Sequence, residues 1–123
     1  MLNFIVTNHW WQKYQNREKN HEYRRKTNYW DVRVRNALID HFGEEKGLFY
    51  FKNLHTPKSK NEISVVGFPK DFPLICLYRR AYTADHEMPE IYSICIKNGL
   101  DTDLKIDDWV YDFEIKEATG LPF

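Results

Sequence analysis

The sequence predicts an α+β domain, with two N-terminal helices packed on one face of a mainly antiparallel sheet of about five strands. Apolar residues recur at helical spacing only in the first third, between Asn8 and Phe42. From Leu48 onward they gather in short runs of strand length, with Pro, Gly, Asn and Asp among the residues between the runs. The 123 residues make one domain over 1–123, long enough to bury roughly two thirds of its unfolded surface without a disulfide or a metal. Aromatics form 16 % of the chain, which supplies core-filling side chains and opposes disorder despite a mean hydropathy of -0.68.

Leu2 to Thr7 reads as a strand, and Asn8 to Glu18 as a helix of about three turns begun by Thr7 or Asn8, with Trp10 and Tyr14 on one apolar stripe. Lys19 to Lys26 is polar throughout, either a loop or a solvated extension of that helix. The second helix is capped by Asn28, carries Asp31 where the dipole favours an acid, and repeats Trp30, Val34, Ala37, Leu38 and Phe42 at 3.6-residue spacing until Gly43. Strands follow at Leu48 to Lys52, Glu62 to Phe68, Pro73 to Arg79, Ile91 to Lys97 and Trp109 to Ile115. In the last of these, Trp109, Tyr111, Phe113 and Ile115 alternate with Val110, Asp112 and Glu114, which predicts one wet face. Arg80 to Glu90 and Leu54 to Asn61 are the longest polar connections, where functional contacts concentrate.

The formal net charge is zero, yet the signs are segregated. His9 to Arg35 holds eight Lys/Arg against three acids, a net of +5; Asp85 to Glu117 holds ten acids against three Lys, a net of -7. Either a basic face awaits an anion, or the two ends of the chain neutralise each other. Cys76 and Cys95 sit in apolar runs and read as reduced core residues. Asn8 interrupts the first apolar run and no segment approaches a membrane span, so a cytoplasmic protein without membrane contact is expected.

Five histidines occur without metal-ligand spacing, the five glycines build no phosphate loop, and no nucleophile elbow is present. No metal and no cofactor is expected. What remains is chemistry by His, Lys, Arg and Tyr, and RNA cleavage needs only those: the nucleophile is the substrate's own 2′-OH. On a continuous helix His9, Lys13 and Arg17 share a face at i, i+4 and i+8. His9 is the candidate base or acid, Arg17 and Arg79 are catalytic cations, and His86, between Asp85 and Glu87, is a candidate proton donor. Lys13, Arg24, Arg25, Arg80 and Tyr82 are candidate nucleic-acid contacts.

The opening Thr7-Asn8-His9 with Lys13 and Arg17, followed by a second helix and a run of strands, resembles the layout of barnase/RelE-like metal-independent endoribonucleases, a group that includes bacterial toxins. The resemblance spans about 35 N-terminal residues plus the element order, and implies a twisted antiparallel sheet against helices, acting on RNA. Such toxins are commonly basic overall, whereas this chain is neutral.

A second expectation is a non-catalytic binding protein, such as an immunity protein or a phage-encoded inhibitor, whose partner is a basic protein. Asp101, Asp103, Asp107, Asp108 and Asp112 would then make the contact. A third is a non-catalytic RNA- or DNA-binding module built on the basic helix and aromatic rings.

Overall fold

The computed structural model describes residues 1–116, so Glu117 of the acidic segment lies outside the described residues. The domain is α+β, as expected, with three helices and a mixed seven-stranded sheet. Elements follow in the order β1 (Leu2–Val6), α1 (Asn8–Gln15), β2 (His21–Arg25), α2 (Asn28–Phe42), α3 (Glu44–Asn53), β3 (Ser64–Gly67), β4 (Leu74–Arg80), β5 (His86–Glu87), β6 (Glu90–Asn98) and β7 (Trp109–Lys116). The strand path is β1-β4-β6-β7-β2, with β3 also on β6 and β5 also on β4. All pairs are antiparallel except β1–β4, where Leu2 lies opposite Cys76 and Val6 opposite Arg80.

Several expectations are corrected. Leu48 to Lys52 is helical, not a strand, because α3 packs edge-on against α2: a Cβ at Gly47 would lie 2.6 Å from the Ile39 backbone, so only a glycine admits this approach. Residues 21–25 are a strand, neither loop nor helix extension, recruited by antiparallel pairing of Glu22 with Phe113 and Arg24 with Tyr111. The predicted wet face of β7 is covered, since Val110 and Asp112 are buried along with Tyr111 and Phe113. Thr27 rather than Asn28 caps α2, its Oγ1 accepting from the Trp30 N–H.

α1 ends at Gln15 instead of running to Glu18. The Arg17 N–H donates to the Tyr14 carbonyl and the Glu18 N–H to the Lys13 carbonyl, with Arg17 at φ 62°. That is a Schellman closure with arginine in the left-handed position that glycine usually fills. The polar residues after it then turn back to begin β2.

The sheet curls, as the twist of its strands dictates. β1 and β2 stand at opposite ends of the strand path, yet Arg24 Nη2 donates to the Ile5 carbonyl at 3.3 Å, and the Phe4 and Phe113 rings lie 4.8 Å apart. Trp11 and Tyr14 of α1 close over Tyr78, and Trp30 of α2 stacks on Phe4. α2 is fastened by Asp31, which accepts from the Tyr111 hydroxyl at 2.6 Å and pairs with Lys26. No helix among the described residues is long and apolar enough to cross a membrane.

Candidate functional site

Two adjoining hollows open beside α1 and β2, where the ends of the curled sheet meet. One, of about 500 Å³, is walled by Ile5, Leu104 and Ile106 and reaches Glu22 and Arg24. The other, of about 440 Å³, is lined by His9, Lys13, Glu18 and His21. Trp10, Lys19, Tyr23 and Asp103 line both, so the hollows form one cleft with an apolar end and a two-histidine end.

Strand periodicity builds the β2 wall. Glu22 and Arg24 turn toward the core, where the Arg24 guanidinium lies over the Phe4 and Trp30 rings. His21 and Tyr23 take the opposite face, and cross-strand register aligns Tyr23 with Asp112 and Asp112 with Cys95. Glu22 is a buried carboxylate bound on both oxygens, to Lys19 Nζ at 3.3 Å and Arg24 Nη2 at 3.0 Å. The Lys19 and Glu22 side chains are each 6 % exposed. Buried ion pairs of this kind add little net stability; this one fixes an ammonium at the junction of the hollows, where it also sits 4.6 Å over the Trp10 ring.

His21 is held by a buried acid. Its Nδ1 lies 2.6 Å from Asp112 Oδ1, and its ring stacks on Tyr23 at 5.9 Å. Against a carboxylate oxygen, which accepts, Nδ1 is the donor nitrogen of the ring and Nε2 is left as its second nitrogen. Tyr23 has its phenol pushed up to about 12, first by burial and then by the charges of Asp112 and Asp103, so it remains a donor at neutral pH. Burial, with Asp112 beside it, likewise raises the Cys95 thiol to about 11, and burial raises Cys76 further, so both are inert core thiols. His9 is exposed in the first turn of α1, its ring edge-on to Trp10 at 4.8 Å.

Of the residues proposed from sequence, His9 and Lys13 share the histidine end, and Arg24 and Arg25 line the adjoining hollow. Arg17 lines neither hollow: α1 has already ended, and Arg17 faces a neighbouring recess with Tyr92 and Glu114 that meets the histidine end at Lys19 and Asn20. Arg79, Tyr82 and His86 meet in a third hollow, of about 610 Å³, at the β4–β5 hairpin. Arg80 is bound to Asp85 and donates to Asn8 Oδ1 at 3.1 Å. The single constellation of His9, Arg17, Arg79 and His86 is therefore not formed.

The acidic segment turns inward on the basic one. Asp103 pairs with Lys19, Asp108 with Arg25 and Asp112 with His21, while Asp107 binds Lys60 and the Asn98 amide. Of the five aspartates only Asp101 has neither a cationic nor an imidazole partner among the described residues. Sequence reasoning missed His21, Lys19, Glu22 and Tyr23; residues 21–25 are too uniformly polar for a hydrophobic period to mark the strand.

No family model matches the chain, and neither a curated protein nor a solved structure is detectably similar to it.

Proposed function

We propose that this protein is a metal-independent endoribonuclease acting in the cleft between α1 and β2. One observation carries the proposal: two histidines, one anchored by a buried aspartate, line the same hollow as Lys13 and Lys19. In this scheme His21 Nε2 removes the proton from the substrate 2′-OH, and the 2′-oxygen attacks the adjacent phosphorus. Lys19 and Lys13 stabilise the charge that grows on the phosphorane oxygens. The P–O5′ bond breaks as protonated His9 gives its proton to the leaving oxygen, which yields a 2′,3′-cyclic phosphate and a free 5′-OH. Asp112 is a positioning residue: it keeps the His21 tautomer and stabilises the imidazolium formed when the proton arrives. The hollow walled by Ile5, Leu104 and Ile106, with Trp10 at its border, suits the base and ribose beside the scissile phosphate.

The test is cleavage of single-stranded RNA by purified protein in EDTA, with the termini identified by mass. A cyclic phosphate product that disappears in both His9→Ala and His21→Ala is the expected result. RNA left intact by the wild-type protein over the whole neutral pH range would overturn the proposal, and cleavage surviving in His21→Ala would remove that residue from the mechanism. Four of the five aspartates are engaged by groups of the same chain, which favours this reading over an inhibitor of a basic partner.

A further inference from the structure

We propose that the tip of the β4–β5 hairpin is a second RNA contact, in which Arg79 grips a phosphate and Tyr82 stacks an unpaired base. The choice of RNA as ligand rests on the ribonuclease reading above, and the hairpin contributes binding rather than chemistry.

Four features of the hairpin support this. Arg79 is half-buried, its Nε is buried with no hydrogen-bond partner, and among the described residues no carboxylate pairs with it. The adjacent Arg80 also has a buried Nε with no partner, but its two other guanidinium nitrogens are tied to Asp85 and to Asn8. A guanidinium held in place without an acid keeps its planar donors for a phosphate. His86 lies directly across the strand pair from Arg79, with Nδ1 3.0 Å from the Ala84 carbonyl, which leaves Nε2 as its other polar atom.

Tyr82 is fully exposed, at 102 % of its reference area, and sits at φ 62°, a left-handed backbone that a bulky residue rarely adopts. The turn around it is internally bonded: Thr83 Oγ1 donates to the Arg80 carbonyl at 3.0 Å and accepts from the Asp85 N–H at 3.1 Å. The ring is thus held out in water by a fixed turn, with no packing to gain. A fully exposed aromatic on an ordered turn, beside a guanidinium with no acid on it, is the pairing that binds single strands by stacking and phosphate contact.

Position joins this site to the cleft. Arg80 bonds to Asn8, the residue before His9, and the Ala81 N–H donates to the Val6 carbonyl at 2.8 Å. The hairpin is therefore pinned to the start of α1, beside the residue that precedes His9.

The experiment is fluorescence anisotropy with a labelled oligoribonucleotide carrying 2′-O-methyl groups throughout, so that it cannot be cleaved, as a single strand and as a duplex. Tyr82→Ala is expected to weaken the single strand about tenfold and leave the duplex unchanged, because a paired base offers no free face. Arg79→Gln is expected to weaken both forms and lower the salt slope by about one. Single-strand affinity unchanged in both variants, or no binding by the wild-type protein, would overturn the hairpin contact. Wild-type binding that depends on Tyr82 and Arg79, with no cleavage of unmodified RNA, would keep the contact and defeat the ribonuclease reading instead.

Discussion

The β2 wall of the cleft and the β4–β5 hairpin both carry guanidinium groups, but they treat them differently. Along β2 the cations are matched by acids from the same chain: Arg24 by Glu22, Arg25 by Asp108, and neighbouring Lys19 by Glu22 and Asp103. At the hairpin Arg80 is bound by Asp85 while Arg79 has no carboxylate partner among the described residues. The same residue type therefore does two jobs. In the cleft it orders neighbouring side chains, and at the hairpin it is the group proposed above to meet a phosphate. Net charge sums over both and hides the distinction.

The sharpest way to break this comparison is to remove the anchored histidine. In the cleft, His21→Ala is expected to lower the cleavage rate by about 10²–10⁴-fold, the range for losing a general acid or base. Asp112→Asn should fall in the same range, because an amide no longer enforces the productive tautomer. The measurement is kcat on RNA with the fold checked by circular dichroism. If the cleft is only structural, both variants will cleave like wild type.

Next comes the buried ion cluster. Glu22→Ala leaves Lys19 and Arg24 beside a cavity without their shared carboxylate, a change that costs on the order of 3–5 kcal/mol for a buried pair. A thermal melt should show a large drop in Tm. Arg79→Gln has no such partner to strand and should melt with wild type. Equal losses in the two variants would erase the contrast between an ordered and a free cation.

How much of this was legible in sequence depends on where the information lay. β1, α2, β4, β6 and β7 were read within a few residues because their apolar periodicity is local. α3 was misread because Leu48-Phe49-Tyr50-Phe51 is an aromatic run with strand propensity, and what makes it helical is the close seat of Gly47 on Ile39. The cues that pointed the other way, Glu44 and Glu45 in the first turn and Lys52 in the last, are weaker than that run. β2 was missed because His21, Tyr23 and Arg25 alternate with Glu22 and Arg24, so hydrophobicity carries no period. Half of the site was visible: His9 and Lys13 lie on one helix. His21 was not, because its partner Asp112 is 91 residues away and only strand pairing brings them together.

A smaller effect, of opposite sign, tests the pairing inside the cleft. Asp103 Oδ2 lies 3.4 Å from Lys19 Nζ, and the Asp103 side chain is 45 % exposed, so it competes with an incoming phosphate for the ammonium. Asp103→Asn is expected to tighten RNA binding severalfold, consistent with roughly 1 kcal/mol at most for an exposed pair. KM for RNA reads this directly, and a rise in KM would show that Asp103 helps substrate rather than opposing it.

The smallest expected effect is on stability against acid. The Asp108 carboxyl is held below its usual range, first by the Arg25 guanidinium at 2.9 Å and then by the Trp109 N–H at 2.8 Å. A carboxyl with a depressed folded-state pKa stabilises the fold fully above its unfolded value, about 4, and loses that contribution as pH falls through the folded value. Asp108→Asn should therefore melt slightly below wild type at pH 7 and converge with it as the pH drops well under 4. Salt should shrink the gap at pH 7, because the pair is open to solvent. At the hairpin, Arg79→Gln has no paired carboxyl to titrate, so its Tm difference from wild type should be flat over the same pH range. A gap for Asp108→Asn that persists at low pH would mean the side chain acts by packing or by a neutral hydrogen bond. The cations of β2 would then owe their order to something other than the acids of the last third.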